Sequence, residues 1–320
     1  MYVENKGGIG NPYHDDLGRF TDKNGDGTNL DELFGVKSES DSKKSITFVP
    51  KTTSKNELRK WAKDMVLAEK AKYDEEMYKL VGDKLRRINE NAKNPTILDN
   101  SYERILFRKK TISEEIESQT KESPKLYERK AIILLGLPAS GKSSIANELL
   151  GPTGSFIIDA DNMKEKIPEF IENDENICKV HEESVEMSND MMYQIMQSGG
   201  NMIIGKVGGW FPDIEKIVLS LAKEGYQCDI VLNDLPYDIT IERNMERYKN
   251  GKTKRIVPLP IIYDSDEEIF KTYDKLMEMK EVNGGAIYSN DVLYGQKPKL
   301  IATNKNAERI KIWQKKNIKT

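Results

Sequence analysis

Short runs of apolar residues recur along the chain from about residue 128 onwards, and small or polar residues bound each of them. The four runs are AIILL (131–135), SFIIDA (155–160), NMIIGKV (201–207) and CDIVLND (228–234). Runs of this length, flanked by Gly, Pro, Asn or Asp, are typical of strands that are buried on both faces of a parallel sheet. The pattern therefore predicts four parallel strands in this part of the chain.

Segments with helical periodicity separate these runs. SSIANELL (143–150) follows the first run, and ICKVHEESVEMSNDMMYQIM (177–196) precedes the pair Gly199–Gly200, a suitable helix end. PDIEKIVLSLAKEG (212–225) begins with Pro and ends with Gly, as helices prefer. Because strands and helices alternate, right-handed crossovers are expected to place helices on both faces of the sheet. The predicted fold is α/β, a three-layer core of the P-loop type with a parallel sheet.

The N-terminal part of the chain has a different character. Residues 1–55 are rich in Gly, Asn, Asp, Ser and Lys and contain few large apolar residues, which predicts a flexible polar tail. Apolar residues recur near helical spacing in 56–90 and again in 99–118. We therefore divide the chain into this tail, a helical arm (56–125) and a main domain (126–320). The sequence leaves open whether the arm packs on the main domain or docks another protein.

Composition and charge narrow the function classes. The formal net charge is −3 although 32% of the residues are charged, so the chain has no overall basic footprint for specific nucleic-acid binding. Cys178 and Cys228 have neither CxxC nor metal-ligand spacing, and two histidines cannot form a His-rich metal site. No window approaches the roughly 18 apolar residues of a membrane span, and the N-terminus lacks the apolar core of a signal peptide. We expect a cytoplasmic protein with free thiols and no membrane contact.

A phosphate-binding motif follows the first run. GLPASGKS, from Gly136 to Ser143, satisfies G-x-x-x-x-G-K-[ST], with a predicted strand before it and a predicted helix after it. In such a loop the backbone amides face a phosphate, the lysine bridges the β- and γ-phosphates, and the hydroxyl ligates Mg²⁺. The motif favours binding of ATP and Mg²⁺ over a glycine-rich turn with a solvated lysine, and Ser143 is the predicted metal ligand. The predicted nucleotide-binding residues are Gly136, Pro138, Ala139, Ser140, Gly141, Lys142, Ser143 and Ser144.

Two aspartates end the second run. Asp159 and Asp161 follow a predicted strand, and strand ends in a doubly wound sheet open onto the ligand crevice. A carboxylate there can accept the proton of an acceptor hydroxyl that attacks the γ-phosphate, which favours a kinase. The third run ends in Gly205 and Lys206, so it lacks the acid that supports Mg²⁺ in many hydrolases. The alternative for Asp161 is a capping role at the helix that starts beside it.

Two further segments supply candidate site residues. Arg243, Arg247 and Arg255 lie in a predicted helix and in the polar loop KNGKTKR after it, which has the character of a mobile lid over the phosphates. Arg243 is the favoured residue, and a solvated basic helix face is the alternative. HEES (181–184) lies on the helix between the second and third runs, where the first and last residues share a helix face and can hold an acceptor. The predicted acceptor-binding residues are Asp159, His181, Glu182, Ser184 and Lys206.

These segments together resemble the zeta-toxin family of P-loop kinases. The likeness covers about 128–275 and follows the order GLPASGKSS, IIDADNMKEKIPEF, a long helix, NMIIG and TIERNMERYKNGKTKR. It implies that Asp161 is the general base and that Arg243 and Arg255 embrace the nucleotide phosphates. The catalytic residues implied by the resemblance are Lys142, Asp161, Arg243 and Arg255.

The resemblance also bears on the acceptor. The family's toxins phosphorylate the sugar 3′-hydroxyl of UDP-N-acetylglucosamine, and they carry an acidic E-G-T segment where this chain has GKVGG (205–209). HEES (181–184) followed by KVGG (206–209) resembles zeta-like proteins of phage and mobile elements. HDDLGRF (14–20) is similar to pieces of tailed-phage head proteins. The implied function is an ATP-dependent kinase for a small molecule such as a nucleotide sugar. Its candidate partners are an antitoxin or a phage head protein.

Two other functions stay open at this point. One is a phage structural protein, carried in the virion, whose kinase-like domain only binds nucleotide. The other is a nucleotide-dependent hydrolase or switch. ATP turnover, and its dependence on an acceptor and on Asp161, separates these functions from a kinase.

Overall fold

The described residues begin within the predicted helical arm. The computed structural model describes residues 72–88 except 74, 78 and 85, and then 98–150, 153–250, 256–257, 259–292 and 296–305. The predicted tail, the first part of the arm and Arg255 therefore lie outside the described residues. The chain divides into two units, Met1–Lys79 and Leu80–Thr320. The described residues of the first unit are helical, and so are those up to position 88 in the second.

A six-stranded sheet forms the centre of the second unit, as far as the chain is described. Its strands are β1 (Lys130–Gly136), β2 (Phe156–Ile158), β3 (Met202–Lys206), β4 (Gln227–Asp234), β5 (Val282–Ser289) and β6 (Lys299–Lys305). Their order across the sheet is β2-β3-β1-β4-β5-β6, and only the last pair is antiparallel. The predicted α/β fold and its four predicted strands are confirmed, whereas β5 and β6 were not predicted.

Helices connect the strands and cover both faces of the sheet. They are α1 (Tyr102–Glu122), α2 (Lys142–Ser144), α3 (Ala160–Lys164), α4 (Pro168–Glu172), α5 (His181–Ser198), α6 (Phe211–Lys223), α7 (Tyr237–Asn250) and α8 (Leu259–Glu278). A π-helical segment, Ile145–Leu150, continues α2, and a 3₁₀ turn, Asp174–Cys178, precedes α5. Within the described residues, no helix has the length and apolar character needed to cross a bilayer.

Local signals fix the ends of these helices. The Ser101 side chain caps α1 by accepting a hydrogen bond from the Arg104 amide at 3.3 Å. Pro212 lies in the first turn of α6, where its missing N–H has no helical partner to lose. Gly199 ends α5 in the left-handed conformation, with φ +77°. The predicted ends of these elements differ from the observed ones by a few residues, because caps depend on backbone geometry.

The side chains of β1 enter two core layers in alternation. Ile133 and Leu135 join the larger layer, under α5, α6 and α8, and Ile132 and Leu134 join the smaller layer, under the π-helical segment. All four are essentially inaccessible to solvent. A strand buried on both faces reads as one continuous apolar run, which is why this strand was recognisable in the sequence.

Helix α1 covers the exposed edge of the sheet at β2. The Gln119 side chain accepts a hydrogen bond from the Ile157 amide at 2.8 Å and donates one to the Ile157 carbonyl at 2.9 Å. One glutamine amide thus replaces the neighbouring strand that β2 lacks on this side. Covering an edge in this way satisfies its backbone groups and blocks pairing with another chain.

An ion cluster joins the start of α1 to α4 and α5. Arg104 bonds both carboxylate oxygens of Glu183, at 2.7 and 2.6 Å, and also reaches Glu169 at 2.8 Å. Arg108 lies 3.4 Å from the same Glu183 carboxylate and donates to the Asp99 carbonyl at 2.8 Å. The hydrogen bonds with Glu183 raise the pKa of Arg104. The cluster holds the amino end of α5, where HEES begins.

Candidate active site

The phosphate loop lies between β1 and α2, at the carboxyl edge of the parallel strands. Gly141 has φ +86°, a left-handed conformation that suits glycine, and it directs the chain into α2. A Cβ on Gly136 would lie 3.0 Å from both Ser140 Oγ and Lys142 Cγ, so this position also favours glycine. Lys142 Nζ donates to the carbonyls of Gly136 at 2.7 Å and Leu137 at 3.0 Å. The ammonium is thus held over the loop, where a phosphate would meet it.

Two asparagines from neighbouring strand ends support this loop. Asn233, near the end of β4, donates from Nδ2 to the Ser140 carbonyl and hydroxyl, both at 2.9 Å. Asn290, just after β5, donates to the Ser140 carbonyl at 2.8 Å and to the Gly141 carbonyl at 3.3 Å. Neither residue was predicted from the sequence. The available signal was a polar residue one or two positions after the apolar runs IVL (230–232) and AIY (286–288).

Asp159 faces the phosphate loop across a pocket. It caps α3 by accepting a hydrogen bond from the Asp161 amide at 2.8 Å, so Asp159 rather than Asp161 fills the capping role. The pocket, about 60 Å³ in volume, is lined on one side by Lys142 and Ser143 and on the other by Asp159 and Gly205. A loop that binds phosphate and an acidic strand end thus share one cavity.

Asp161 lies two residues further along, in the first turn of α3. Its side chain is 48% exposed, and Lys164 Nζ donates to its Oδ1 at 3.2 Å. Lys164 itself is only 6% exposed, so this ammonium is desolvated and close to the carboxylate. The pairing holds the Asp161 carboxylate beside Lys164 at the start of α3.

Two basic residues lie near these acids. Burial lowers the pKa of Lys206, at the end of β3, and the carboxylates of Asp159 and Asp213 partly offset that effect. His181 reaches the protein surface, yet desolvation by the surrounding atoms and then the charge of Lys164 lower the pKa of its imidazole, while Asp161 acts in the opposite direction. These groups are therefore near enough to interact electrostatically at the ends of β2 and β3.

The other residues predicted on α5 occupy different positions. Glu182 is exposed. Ser184 is fully buried, and its hydroxyl donates to the His181 carbonyl of the same helix at 2.6 Å. Because that hydroxyl has its bond within the helix, the structure does not present Ser184 to the crevice. Ser184 shares a helix face with His181, but α5 turns the serine into the core.

Arg243 reaches the loop from α7. Its NH2 group donates to the carbonyls of Asn290 at 2.8 Å and Val292 at 3.3 Å. Its NH1 group lies 3.8 Å from the position of a Cβ on Gly141. Arg247, on the same helix, donates instead to Asn244 at 3.4 Å.

The residues present fit a Mg²⁺ ion at the mouth of this pocket. Ser143 offers a hydroxyl and Asp159 a carboxylate, and oxygen ligands are those that Mg²⁺ prefers. Mg²⁺ is usually bound by one or two protein ligands, with substrate phosphates and water completing the shell. This pair of oxygen donors is therefore of the kind that fits the metal accompanying a nucleotide.

Gly141→Ala is expected to weaken ATP binding by about tenfold, because the new methyl would collide with the Asn290 amide that bonds the loop carbonyls. Gly225→Ala is the matched control, since Gly225 has a similar φ of +77° but its Cβ would meet only Arg129 Cδ, at 4.0 Å. Both variants carry the left-handed backbone cost of about 1–2 kcal/mol. ATP titration and urea unfolding of the two proteins measure these effects, and equal ATP affinities would contradict the proposed collision.

Comparison with known proteins identifies related families and folds. The family model described as zeta toxin matches residues 113–316, well over half of the 320 residues. The PezAT chromosomal toxin-antitoxin system of Streptococcus pneumoniae is similar in structure, with a TM-score of 0.53 and 16% identity over 69% of this chain and 98% of that chain. A complex of AvrRxo1-ORF1 with AvrRxo1-ORF2 and sulphate ions has a TM-score of 0.46 and 14% identity over 67% of this chain and 73% of that chain. No curated protein matches the chain.

Proposed function

The chain belongs to the zeta toxin family, and from that premise we propose that it transfers the γ-phosphoryl group of ATP to a hydroxyl of a small molecule. The observation that carries the proposal is the pocket shared by Lys142, Ser143 and Asp159, with Asp161 two residues beyond Asp159 in the first turn of α3. Phosphate-binding groups on one side and acids on the other are the arrangement that a transfer between two bound substrates requires.

The phosphate loop and Lys142 hold the nucleotide in this proposal. Backbone amides of 137–142 face the phosphates, and Lys142 exchanges the loop carbonyls at 2.7 and 3.0 Å for phosphate oxygens. Mg²⁺ at Ser143 and Asp159 would neutralise charge on the phosphates. Arg243 then stabilises the charge that spreads over the transferring group, with Arg255 proposed as its second arginine.

Asp161 serves as the proton acceptor. The acceptor hydroxyl oxygen forms a bond to the γ-phosphorus while the bond from that phosphorus to the bridging oxygen of ADP breaks. The hydroxyl proton passes to the Asp161 carboxylate, and ADP leaves with the electrons of the broken bond. Lys164, 3.2 Å from Asp161 Oδ1, orients the carboxylate for this step.

The ammonium of Lys206 and the imidazole of His181, which can donate a hydrogen bond, support an anionic acceptor. Lys206 and His181 lie beside Asp159 and Asp161 at the end of the sheet, where they can hold phosphate groups of a nucleotide sugar. UDP-N-acetylglucosamine is the first candidate, while GKVGG (205–209) in place of an acidic segment argues for testing other nucleotide sugars. Glu182 is exposed at the same helix start and completes the proposed acceptor contacts.

An antitoxin is the proposed protein partner. The structurally similar PezAT system is a toxin-antitoxin pair, and its likeness covers 69% of this chain. A phage head protein is the other candidate, and it rests on the sequence of residues 14–20, outside the described residues.

A transfer assay tests the proposed function. The protein is incubated with Mg²⁺, γ-labelled ATP and a panel of nucleotide sugars, and the products are separated and analysed by mass spectrometry. The expected result is an acceptor that gains one phosphoryl group and carries the label. Release of all label as inorganic phosphate, at a rate unaffected by every acceptor, would instead support the hydrolase alternative.

A further inference from the structure

We propose that Asn290 is a positioning residue that sets the place of Arg243 relative to the phosphate loop. The inference rests on the proposed binding of ATP to this loop, and it concerns how the chain aligns an arginine with the bound phosphates. Its basis is that one residue bonds the loop through its side chain and the arginine through its main chain.

The side chain of Asn290 anchors it to the loop. Its Nδ2 group donates to the carbonyls of Ser140 at 2.8 Å and Gly141 at 3.3 Å. The residue is 5% exposed, so these bonds form away from solvent, where an unsatisfied polar group is costly. The backbone N–H of Asn290 donates to the Asp234 carbonyl at 3.2 Å, which fixes the backbone of Asn290 at the end of β4.

The main chain of Asn290 holds the arginine. Arg243 NH2 donates to the Asn290 carbonyl at 2.8 Å and to the Val292 carbonyl at 3.3 Å. The Val292 amide also donates to the Asn290 carbonyl, at 2.9 Å, so this short turn is closed on itself. Two acceptors on one rigid turn fix the guanidinium group at NH2.

A guanidinium group is planar, so fixing one nitrogen also fixes the directions of the others. With NH2 bound to the turn, NH1 lies 3.8 Å from the Cβ position of Gly141, beside the loop that would carry the phosphates. Arg243 thus has further N–H donors that can face a phosphate oxygen. Asn290 sets their position relative to the loop, because it bonds the loop through its side chain and Arg243 through its main chain. A displacement of about 1 Å at such a group can cost a large part of its effect.

Asn233 provides the matched comparison for this role. It also donates to the Ser140 carbonyl, at 2.9 Å, and it also comes from a strand end that lines the loop. The bonds of the guanidinium group, however, go to residues 290 and 292. Loss of the Asn233 side chain should therefore loosen the loop alone. Loss of the Asn290 side chain should also break the link between the loop and the 290–292 turn, so that the loop shifts relative to Arg243, which the turn still holds.

Binding measurements on the full chain test the inference. The affinities of Mg-ATP and Mg-ADP are measured by titration calorimetry for wild type, Asn233→Ala, Asn290→Ala, Arg243→Ala and the double variant Asn290→Ala/Arg243→Ala. Asn290→Ala should lower the preference for ATP over ADP by about tenfold, as Arg243→Ala does. In the first variant the loop and its phosphates shift away from the guanidinium group, and in the second that group is absent, so each loses a charge-assisted bond to the γ-phosphate. The double variant should lose no more of that preference than Arg243→Ala alone. Asn233→Ala should weaken both nucleotides by the same factor.

Two outcomes would overturn the proposal: an ATP preference in Asn290→Ala equal to that of Asn233→Ala, or additive losses in the double variant. If Asn290→Ala does not fold, Asn290→Ser, which is too short to reach the loop carbonyls, replaces it in the same comparison. This test measures nucleotide binding and not phosphoryl transfer. If the protein phosphorylates no acceptor, the proposed function is wrong, but the ATP preference of the variants still decides the role of Asn290.

Discussion

Asp161→Asn is expected to lower the rate of phosphoryl transfer by about 10²–10⁴-fold while the affinity for ATP stays close to that of the wild type. The amide cannot accept the hydroxyl proton, but its oxygen can still accept a hydrogen bond from Lys164, which now lies 3.2 Å from Asp161 Oδ1. The nucleotide contacts proposed for Lys142 and the loop do not involve Asp161. The variant should therefore fold and bind ATP normally, and lose only the chemical step.

Three measurements on the same preparations check this prediction. Transfer to an acceptor identified from the nucleotide-sugar panel gives the rate, ATP titration gives the affinity, and thermal unfolding reports stability. Asp190→Asn, an exposed aspartate on α5, is the control and should leave all three unchanged. Transfer at the wild-type rate in Asp161→Asn would exclude this carboxylate as the base.

Glu183→Ala is expected to destabilise the fold by about 3–5 kcal/mol, the cost of breaking a buried ion pair by removing one partner. The variant leaves Arg104 and Arg108, whose side chains are 18% and 6% exposed, without the carboxylate that Arg104 bonds at 2.6 Å. The amino end of α5 would also lose its link to α1. Urea unfolding measures the change in the free energy of unfolding.

Glu182→Ala is the matched control for stability, since Glu182 is the adjacent and exposed residue on α5. Its free energy of unfolding should stay within about 0.5 kcal/mol of the wild type. If Glu183→Ala were as stable as this control, the cluster would contribute nothing to the docking of α1.

The sequence predicts those strands that are buried on both faces along their whole length. β1 and β4 are apolar on both faces, so their runs stand out, whereas β5 contains Gly284–Gly285 and reads as a turn. The structure shows why glycine is there: a Cβ on Gly285 would lie 2.6 Å from the hydroxyl of Tyr273 on α8. Close approach of a helix, which only the three-dimensional structure reveals, placed a turn-like pair inside a central strand. β6, KLIATNK, is an antiparallel edge strand with mixed polarity and gives a weak signal.

Some residues of the candidate site were also predictable from the sequence, and others were not. The loop motif and the acids after β2 could be located because strand ends in a parallel sheet meet at one edge. Asn233 and Asn290 could not, because their role depends on the register that sets Gly136 beside Asn233, between strands far apart in sequence. The pairing of Lys164 with Asp161 and the inward turn of Ser184 depend on helix rotation, which the sequence pattern fixes only approximately.

A crystal structure of the protein with Mg²⁺ and a non-hydrolysable ATP analogue tests the central claim most directly. The measurement is the position of the terminal phosphorus relative to Lys142 and Asp161. We expect the phosphates to accept hydrogen bonds from the backbone amides of 137–142. We also expect the space between the terminal phosphorus and the Asp161 carboxylate to hold one hydroxyl oxygen. A terminal phosphate outside this pocket, or an Asp161 carboxylate with no open path to it, would contradict phosphoryl transfer at this site.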